Sequence, residues 1–388
     1  MSHWLGMIAG ATMAFSCVGS AAVTEEAVEQ LAPSEQAAWE AYLQRSKVAA
    51  ELNEQGLVEE LSSEGLERAR KAPDGADFKL PKQPGDGWYG SSEAQALAEV
   101  LLSYQTPAGG WSKHNGYSQG RRLHGMQWSS QYDPGHRPHY LGTIDNRATT
   151  AEIQFLVEVW RKTKRSDCRE GVQRGLQYLL AAQNPHGGWP QVFPLEGGYH
   201  DAVTLNDDAM THVLELMKSV AEMDAGLVRV GLKRDCQEAF EKGLLCAVRM
   251  QFEGKGWCGQ HDAISLAPVA ARAMEPAALV SVESANLLKV LMSVDEPDAA
   301  LVRCIENGLS WLEEVALTAN DEKSRKWARF YELGTDRPIY PGRDGVIYKD
   351  FDALARRNKV GYDYVSSRPG SVVDQAAKKW RKKLGHHP

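Results

Sequence analysis

The sequence QTPAGGW at residues 105–111 recurs as QNPHGGW at 183–189 and as QFEGKGW at 251–257. In each copy Gln precedes Trp by six residues, and Gly stands directly before Trp. Each copy follows a segment with helical spacing of apolar residues, and its glycines favour a helix end and a chain reversal. The motifs therefore predict one supersecondary unit that is used three times. We expect the three Trp side chains to be structural, each packing a turn against its neighbour.

A second helix is predicted after each turn. Its start reads TIDNRATT at 143–150, TLNDDAMT at 204–211 and, in a degenerate form, SVESA at 281–285. Apolar residues then follow at i, i+3, i+4 and i+7, the spacing of one buried helix face. These faces comprise Ile153, Leu156, Val157 and Trp160; Met210, Val213, Leu214 and Met217; and Leu287, Val290, Leu291 and Val294. Three such hairpins predict an all-α fold, an α/α toroid whose polar helix starts meet at one mouth.

The segment before the repeats predicts a leader and a helical arm. The first 22 residues contain no Lys, Arg, Asp or Glu and end in Ser20-Ala21-Ala22, a small-residue cleavage pattern. We interpret residues 1–22 as a secretory signal peptide, so the protein is expected to be secreted or periplasmic; a buried N-terminal helix is the alternative. Residues 23–87 are interpreted as an arm of one or two charged helices with a Pro- and Gly-rich linker, and residues 88–388 as the toroid domain.

Composition excludes several classes of protein. The 388 residues carry 44 Lys and Arg against 51 Asp and Glu, a net charge of −7, which gives no general attraction to nucleic acid or to an anionic membrane. Outside the leader no apolar run reaches the about 18 residues of a membrane span. The six cysteines form no CxxC motif and no zinc spacing, so most are expected to be buried small hydrophobes. We expect a soluble monomer.

Side-chain oxygens cluster at two of the predicted helix starts. Asp145 and Asn146 stand at the first start, and Asn206-Asp207-Asp208 stand at the second. N-capping alone is one explanation, because short oxygen-bearing side chains cap helices. Two near-identical starts at one mouth instead favour a shared site for a hard cation, and Ca²⁺ prefers such oxygen ligands. Lys113, two residues after the first repeat Trp, can place a positive charge at the same rim.

A second cluster of polar residues lies in RFYELGTDRPIYPGRDG at residues 329–345. Arg329, Arg337 and Arg343 fall within this segment, interleaved with Tyr331 and broken by Gly and Pro. Arginine binds carboxylates in a bidentate manner, so this spacing on a loop predicts a site for an acidic ligand. Exposed arginines without a ligand are the alternative. Together with hard metal ligands, these cations point to a polymer that carries carboxylates, such as a polyuronate.

A long irregular stretch separates the first turn from the second helix start. Residues 117–142 include Trp128, Tyr132, His136, Arg137 and His139. Connectors of this length without secondary structure are uncommon and are often functional, so this segment is a candidate loop of the site.

These motifs resemble family 10 of the polysaccharide lyases, the pectate lyases with an (α/α)3 toroid. The resemblance runs from about Ser91 to Tyr364. It rests on GGWSKHNG at 109–116, TIDNRAT at 143–149, GGWPQ at 187–191, NDDAM at 206–210, ARAME at 271–275 and the segment 329–345. It implies a pectate lyase that cleaves α-1,4-linked polygalacturonate by calcium-assisted β-elimination and releases unsaturated oligogalacturonates.

The resemblance also implies roles for individual residues. Asp145 and Asp207 would hold Ca²⁺ together with a substrate carboxylate. Arg329 and Arg343 would grip the sugar acids, and Arg272 would be the base that removes the C5 proton. Because the pKa of arginine lies above about 12, such a base requires alkaline pH or neighbouring cations. The alternative is a structural Arg272 paired with Glu275 or Glu283. The remaining substrate-binding candidates are Lys113, Asn146, Tyr331 and Arg337.

Two other classes of function stay open at the level of the sequence. An α/α-toroid glycoside hydrolase would use a carboxylate pair, for instance Asp145 and Asp208, as general acid and base. It would release saturated products without calcium. A non-catalytic uronan-binding protein would keep the groove and release no product.

Overall fold

The described part of the chain comprises residues 21–85, 87–317, 325–357 and 363–385 of a computed structural model. The predicted leader up to Ser20, including Cys17, lies outside these ranges. The helices are α1 Glu25–Glu29, α2 Pro33–Glu64, α3 Ser92–Ser103, α4 Thr150–Thr163, α5 Ser166–Ala182, α6 Ala209–Val220, α7 Val230–Met250, α8 Ser281–Met292, α9 Ala299–Glu314, α10 Phe351–Arg357, α11 Pro369–Ser371 and α12 Ala377–Lys383, the last two joined by a π-helical turn.

Short strands connect the helices. They are β1 Val203–Thr204, β2 Gln260–His261, β3 Pro268–Val269, β4 Ala278–Val280, β5 Trp327–Ala328, β6 Phe330–Glu332, β7 Pro338–Pro341, β8 Ile347–Tyr348 and β9 Val365–Ser366. Strands β1, β2 and β3 form one antiparallel sheet, and β4, β6, β7 and β8 form another. The third sheet is the pair β5 and β9.

The predicted helical hairpins are confirmed. Helix α4 packs against α5, α6 against α7 and α8 against α9. The first helices of the hairpins contact one another in the order α4, α6, α8, and the second helices in the order α5, α7, α9. The fold is therefore the predicted (α/α)3 toroid, with α4, α6 and α8 as its inner helices.

The repeated Trp residues are buried and structural, as predicted. Trp111, Trp189 and Trp257 are each 0% exposed. Each indole N–H donates a hydrogen bond to the carbonyl ten residues earlier, at 2.7–2.8 Å. Each ring also packs against a glycine on the next second helix of a hairpin, and the three glycines are Gly175, Gly243 and Gly308. A side chain at any of these glycines would come too close to the indole ring. Each buried Trp therefore requires a glycine at the position that faces it.

The backbone of the repeat motif also positions the inner helix starts. The carbonyls of Trp111, Trp189 and Trp257 accept hydrogen bonds from the N–H groups of Thr143, Thr204 and Val280. Each of these donors stands shortly before an inner helix. The motif therefore holds the three helix starts at the same end of the toroid, where the sequence places the polar residues.

The N-terminal arm packs on the toroid. Pro33 occupies the first turn of α2, and Gly65 ends the helix with a left-handed φ of 63°, so the arm is helical to Glu64. Trp39 is 1% exposed, and the hydroxyl of Tyr42 donates to the carbonyl of Ala182 at the end of α5 at 3.2 Å. The arm thus contributes to the common core.

Two further expectations concern cysteines and membranes. The cysteines within the described ranges, Cys168, Cys236, Cys246, Cys258 and Cys304, are buried free thiols, as expected for small hydrophobes. In the same ranges no helix is both long and apolar enough to cross a membrane.

Candidate active site

The first two inner helices begin with equivalent turns. Asp145–Arg147 precedes α4, Asn206–Asp208 precedes α6, and the two turns contact each other. The second residue of each turn is left-handed, with φ of 52° at Asn146 and 54° at Asp207. Residues other than glycine adopt this conformation at an energetic cost, which is typical of functional sites. Neither α4 nor α6 has a side-chain hydrogen bond at its N-cap, so capping does not explain the acidic residues.

Asp145 is buried beside a lysine. It is 4% exposed, and its Oδ2 accepts a hydrogen bond from Lys113 Nζ at 2.5 Å. The same ammonium lies 3.8 Å from the centre of the Tyr140 ring, a cation–π contact. Asp145 Oδ1 has no hydrogen-bond partner among the residues that the structure describes. A buried carboxylate oxygen without a donor is costly, and a bound cation can compensate for it.

Asp207 carries the second carboxylate of this pair of turns. Burial raises the pKa of Asp207 to about 6, the negative charge of Asp145 acts in the same direction, and Arg329 acts in the opposite one. Two neighbouring carboxylates disfavour each other's charged form. A cation that both can bind would relieve this repulsion.

Arg329 contacts the second turn and the start of α8. It is 8% exposed, and its Nη2 donates to Asn206 Oδ1 at 3.0 Å and reaches Asp207 Oδ1 at 3.5 Å. The same nitrogen donates to Glu283 Oε1 in the first turn of α8. The third inner helix therefore contributes an acidic residue to the same mouth. Arg329 is positioned by three acceptors from two helix starts.

Arg272 lies in the loop before β4 and pairs with Glu275. Its Nε donates to Glu275 Oε2 at 2.8 Å and its Nη2 to Glu275 Oε1 at 2.5 Å, while about half of its side chain stays exposed. Glu275 Oε1 also accepts a hydrogen bond from Asn206 Nδ2 at 3.1 Å. This pairing is the structural alternative considered for Arg272, yet it also attaches Arg272 to the second helix start. The catalytic role of Arg272 stays a prediction.

The predicted arginine cluster is divided by a hairpin. Strand β6 runs from Phe330 and β7 returns antiparallel to it, so Arg329 and Arg343 flank the same end of the pair. Both arginines lower the pKa of Tyr364, which burial raises, so both lie near Tyr364. Arg337 is exposed at the other end, in the turn before β7. This position does not support the substrate contact predicted for Arg337.

The position of Tyr331 does not support its predicted role in substrate binding. It is 1% exposed, its ring packs against Trp311, and its hydroxyl donates to the carbonyl of Val315 at 2.8 Å. The same hydroxyl accepts the N–H of Ala328 at 2.9 Å. Substrate cannot reach a hydroxyl that is buried and bonded on both sides, so we correct the prediction and assign Tyr331 to the core.

The irregular loop 117–142 supplies one wall of the site through its last residues. Burial raises the pKa of Tyr140 to about 12, with Asp145 acting in the same direction and Arg272 in the opposite one, which places Tyr140 among these charges. The Tyr140 hydroxyl forms a hydrogen bond of 3.1 Å with His200 Nε2. Glu196 accepts the N–H of Tyr140 at 2.9 Å and pairs with His139. The loop therefore reaches the site at Tyr140.

A family model described as pectic acid lyase matches residues 105–373, which include all three repeats and the site. The chain belongs to the pectic acid lyase family. The lyase is similar to two solved structures of a family 10 polysaccharide lyase from Cellvibrio cellulosa. One, a mutant in complex with trigalacturonic acid, is 27% identical with a TM-score of 0.65 and covers 77% of this chain and 99% of that chain. The other is 26% identical with a TM-score of 0.65, and the match covers 81% of this chain and 100% of that chain. None of the curated proteins matches the chain significantly.

The family assignment decides between the classes of function left open by the sequence. The protein is a polysaccharide lyase and functions as a pectate lyase. The glycoside hydrolase and the non-catalytic binding protein are not supported. Asp208, the second carboxylate of the hydrolase hypothesis, accepts a hydrogen bond at Oδ2 from Asn286 Nδ2 on α8 at 2.9 Å, while its Oδ1 has no partner among the described residues.

The donor atoms at the two turns are of the kind that calcium prefers. Within the described ranges no group of three or more His, Cys, Asp or Glu side chains is placed to hold a metal. Asp145 and Asp207 supply two hard carboxylates from adjacent turns, and Asp145 Oδ1 lacks a donor. Calcium takes six to eight oxygen ligands, so the remaining ones must come from water and substrate. Asn146, the predicted substrate-binding residue of the first turn, is partly exposed next to Asp145.

Several residues of the lyase site were not identified from the sequence. They are Tyr140, Glu196, His200, Glu275 and Glu283. The sequence did contain a signal for Glu283. It lies in the third helix start, which corresponds to the two starts that carry Asp145 and Asp207. Glu275 was named only as a partner of Arg272. Tyr140 and His200 had no periodic signal, because they lie in loops that meet only in the folded chain.

Proposed function

We propose that the lyase cleaves α-1,4-linked polygalacturonate by calcium-assisted β-elimination. The pair of carboxylates on adjacent helix starts, bordered by Lys113, Arg272, Arg329 and Arg343, carries this proposal, since it offers both metal ligands and cations for a polymer of uronic acids. The complex of a similar lyase with trigalacturonic acid supports the same substrate class. Asp145 and Asp207 would hold the ion.

β-Elimination at C4 of a galacturonate unit requires loss of the C5 proton. Calcium bound there would place positive charge beside the C6 carboxylate, which takes up the negative charge that develops at C5. Arg272 is the proposed base. Glu275 holds its Nε and Nη2, which fixes the plane of the guanidinium at the mouth. A neutral guanidine is needed for proton abstraction, so we expect activity to require alkaline pH.

The other cations bind and orient the polymer. Arg343 is exposed on the same side as Arg329 and can grip a sugar carboxylate in a bidentate manner. Lys113 is held between Asp145 and the Tyr140 ring, so it can donate a hydrogen bond to a substrate oxygen without a large conformational change. Breakage of the C4–O4 bond then gives a C4=C5 double bond in an unsaturated oligogalacturonate.

The experiment is an ultraviolet assay of double-bond formation on polygalacturonate at alkaline pH, with calcium or with a chelator. We expect absorbance to increase only with calcium, and Arg337→Ala to behave as the wild type because Arg337 lies away from the site. Arg343→Ala is the variant to compare with Arg337→Ala, and it is expected to raise KM. Release of saturated products, or a rate unaffected by the chelator, would contradict the proposal.

Export and oligomeric state belong to the same proposal. A leader at 1–22 would carry the lyase out of the cytoplasm. We propose that it acts there as a monomer. Size-exclusion chromatography with light scattering tests the second point.

A further inference from the structure

Asp201 is a buried carboxylate outside the site. It is 2% exposed and ends the short turn Gly198–Asp201. Its oxygens accept hydrogen bonds from the backbone N–H groups of Val23 at 3.0 Å and Gly197 at 2.9 Å, and the backbone of Glu196 also bonds it. No ion pair in the described part of the chain includes it. Buried carboxylates are ordinarily paired with a cation, because burial of an unpaired charge is costly. Burial accordingly raises the pKa of Asp201 to about 6.

Val23 is the first residue after the predicted leader. Its nitrogen reaches Asp201 across 178 sequence positions, and the contact is buried. In the uncut chain this nitrogen is an uncharged amide. Hydrolysis of the Ala22–Val23 bond adds hydroxyl from water to the Ala22 carbonyl carbon and hydrogen to the Val23 nitrogen. The released α-amine takes up one more proton near neutral pH, since its ordinary pKa is about 8.

We propose that removal of the leader by a signal peptidase converts the Val23–Asp201 hydrogen bond into a buried ion pair. The cleavage pattern Ser20-Ala21-Ala22 and the position of Val23 are independent observations that agree on the same bond. This inference rests on the proposed leader and is independent of the substrate and of calcium.

The surroundings of Val23 favour a cation. A cavity of about 620 Å³ is lined by Val23 and Asp201, by three glutamates of the arm, Glu25, Glu29 and Glu40, and by Lys47. Its charged lining is therefore mainly acidic, which stabilises an ammonium. The cavity also has room for water, which can accept the ammonium hydrogens that Asp201 does not.

The ion pair would stabilise one wall of the site. Asp201 holds Gly197 and the turn that contains His200, and the adjacent Glu196 accepts the N–H of Tyr140. His200 bonds the hydroxyl of Tyr140, whose ring lies against Lys113. Processing at Val23 is thus connected to the Lys113–Asp145 pair through this loop. We expect cleavage to increase stability and to raise kcat.

Two chains that differ by two residues test the proposal. One begins at Val23, and the other begins at Ala21 and keeps the Val23 amide N–H but moves the charged amine away. Each is made as the full remaining chain, with Asp201 or with Asp201→Asn, from a fusion whose protease leaves no extra residues. We expect the Val23 chain to melt several degrees above the Ala21 chain. Asp201→Asn is expected to lower the melting temperature more in the Val23 chain.

A labelling experiment detects the ammonium directly. An amine-acylating reagent at pH 7, followed by mass spectrometry of the N-terminal peptide, is expected to modify the Ala21 chain rapidly and the Val23 chain slowly. Asp201→Asn is expected to restore rapid labelling of Val23, whatever its effect on stability. N-terminal sequencing of the exported protein is expected to begin at Val23. A different mature N-terminus, or equal melting temperatures and labelling rates for the two chains, would overturn the proposal.

Discussion

The charged residues of the site meet in pairs of opposite sign. The pairs are Lys113 with Asp145, Arg272 with Glu275, and Arg329 with Glu283. In each pair the carboxylate is nearly inaccessible to solvent, so removal of one partner leaves a buried charge without compensation. Substitutions that keep the shape of the side chain therefore separate catalysis from folding better than alanine does.

At Asp145 and Asp207 we expect substitution to abolish activity without unfolding the protein. Asp145→Asn and Asp207→Asn keep the side-chain shape but remove the charge that a calcium ion needs. Both should lose at least about 100-fold in kcat/KM and bind calcium more weakly by isothermal titration calorimetry. Asp208→Asn is the control, because Asp208 bonds Asn286 and is expected to retain most activity. Wild-type rates and calcium dependence in both variants would show that the metal site lies elsewhere.

The role of Arg272 is tested by its lysine variant. Arg272→Lys keeps the charge but has a compact ammonium in place of the guanidinium plane that Glu275 holds. We expect a loss in kcat with little change in KM, because proton transfer occurs only in the transition state. Arg343→Lys is expected to raise KM as well, since it weakens a grip on bound substrate. Substantial turnover by Arg272→Lys would assign the base to another residue, with Lys113 the next candidate.

At the scale of elements, one repeated set of contacts joins the hairpins. The side-chain amides of Gln105, Gln183 and Gln251 each donate to the carbonyl of their own turn and to the next hairpin's second helix. The Trp of each motif fills the space left by a glycine on that helix. The second and third motifs thus each connect two consecutive hairpins, and the first connects the segment after α3 to the first hairpin, which explains the recurrence with a fixed spacing of Gln and Trp.

Gly243 on α7 is expected to be intolerant of a side chain. A Cβ at this position would lie 2.5 Å from Leu214 Cδ2 and 2.9 Å from Trp189 Cζ3, closer than such atoms pack. Gly243→Ala should therefore lower the free energy of unfolding by about 1–3 kcal/mol through overpacking. Gly231→Ala in the same helix meets no atom within 4 Å and is expected to be neutral or stabilising. Denaturant unfolding of the two variants gives the comparison, and equal stabilities would refute the close packing.

At the scale of the whole molecule, buried histidines make stability depend on pH. Burial lowers the pKa of His200 to about 4, of His212 to about 3 and of His261 to about 4. In the unfolded chain these residues titrate near 6.5. Between the folded and the unfolded pKa, the unfolded state binds more protons than the folded state. The histidines therefore reduce stability as pH falls below about 6.5. Glu152, whose pKa burial raises to about 8, acts in the opposite direction.

His261 offers the clearest test of this effect. Its Nε2 accepts the N–H of Cys258 at 3.1 Å, so the Nδ1 that faces the Leu266 carbonyl at 2.9 Å carries the proton, and the ring is needed in its neutral form. The folded pKa of about 4 corresponds to a loss of about 3 kcal/mol between pH 6.5 and 4. Urea unfolding at several pH values gives the number of protons taken up on unfolding. We expect this number to be smaller by up to one in His261→Gln than in the wild type. An unchanged slope would mean that His261 is protonated in the folded protein.

The amino-acid sequence by itself determined the architecture. The three motifs predicted the hairpins, because a helix stop, a reversal and a buried Trp are local properties that repeat with the chain. Equivalent segments of a repeat must lie at equivalent places, so the turns that carry Asp145 and Asp207 are expected at one mouth from the sequence alone. The same reasoning located Lys113 beside them, and their roles in binding stay predictions.

Only the tertiary structure decided how the charges are paired. Arg329, Arg337 and Arg343 are close in sequence, but a hairpin between them sends Arg337 to the opposite end and buries Tyr331. The partners Asn206 and Glu283 of Arg329 come from distant helix starts, and Val23 meets Asp201 from the other end of the chain. Strand pairing and packing between distant segments set these contacts, and neither leaves a periodic signal in the sequence.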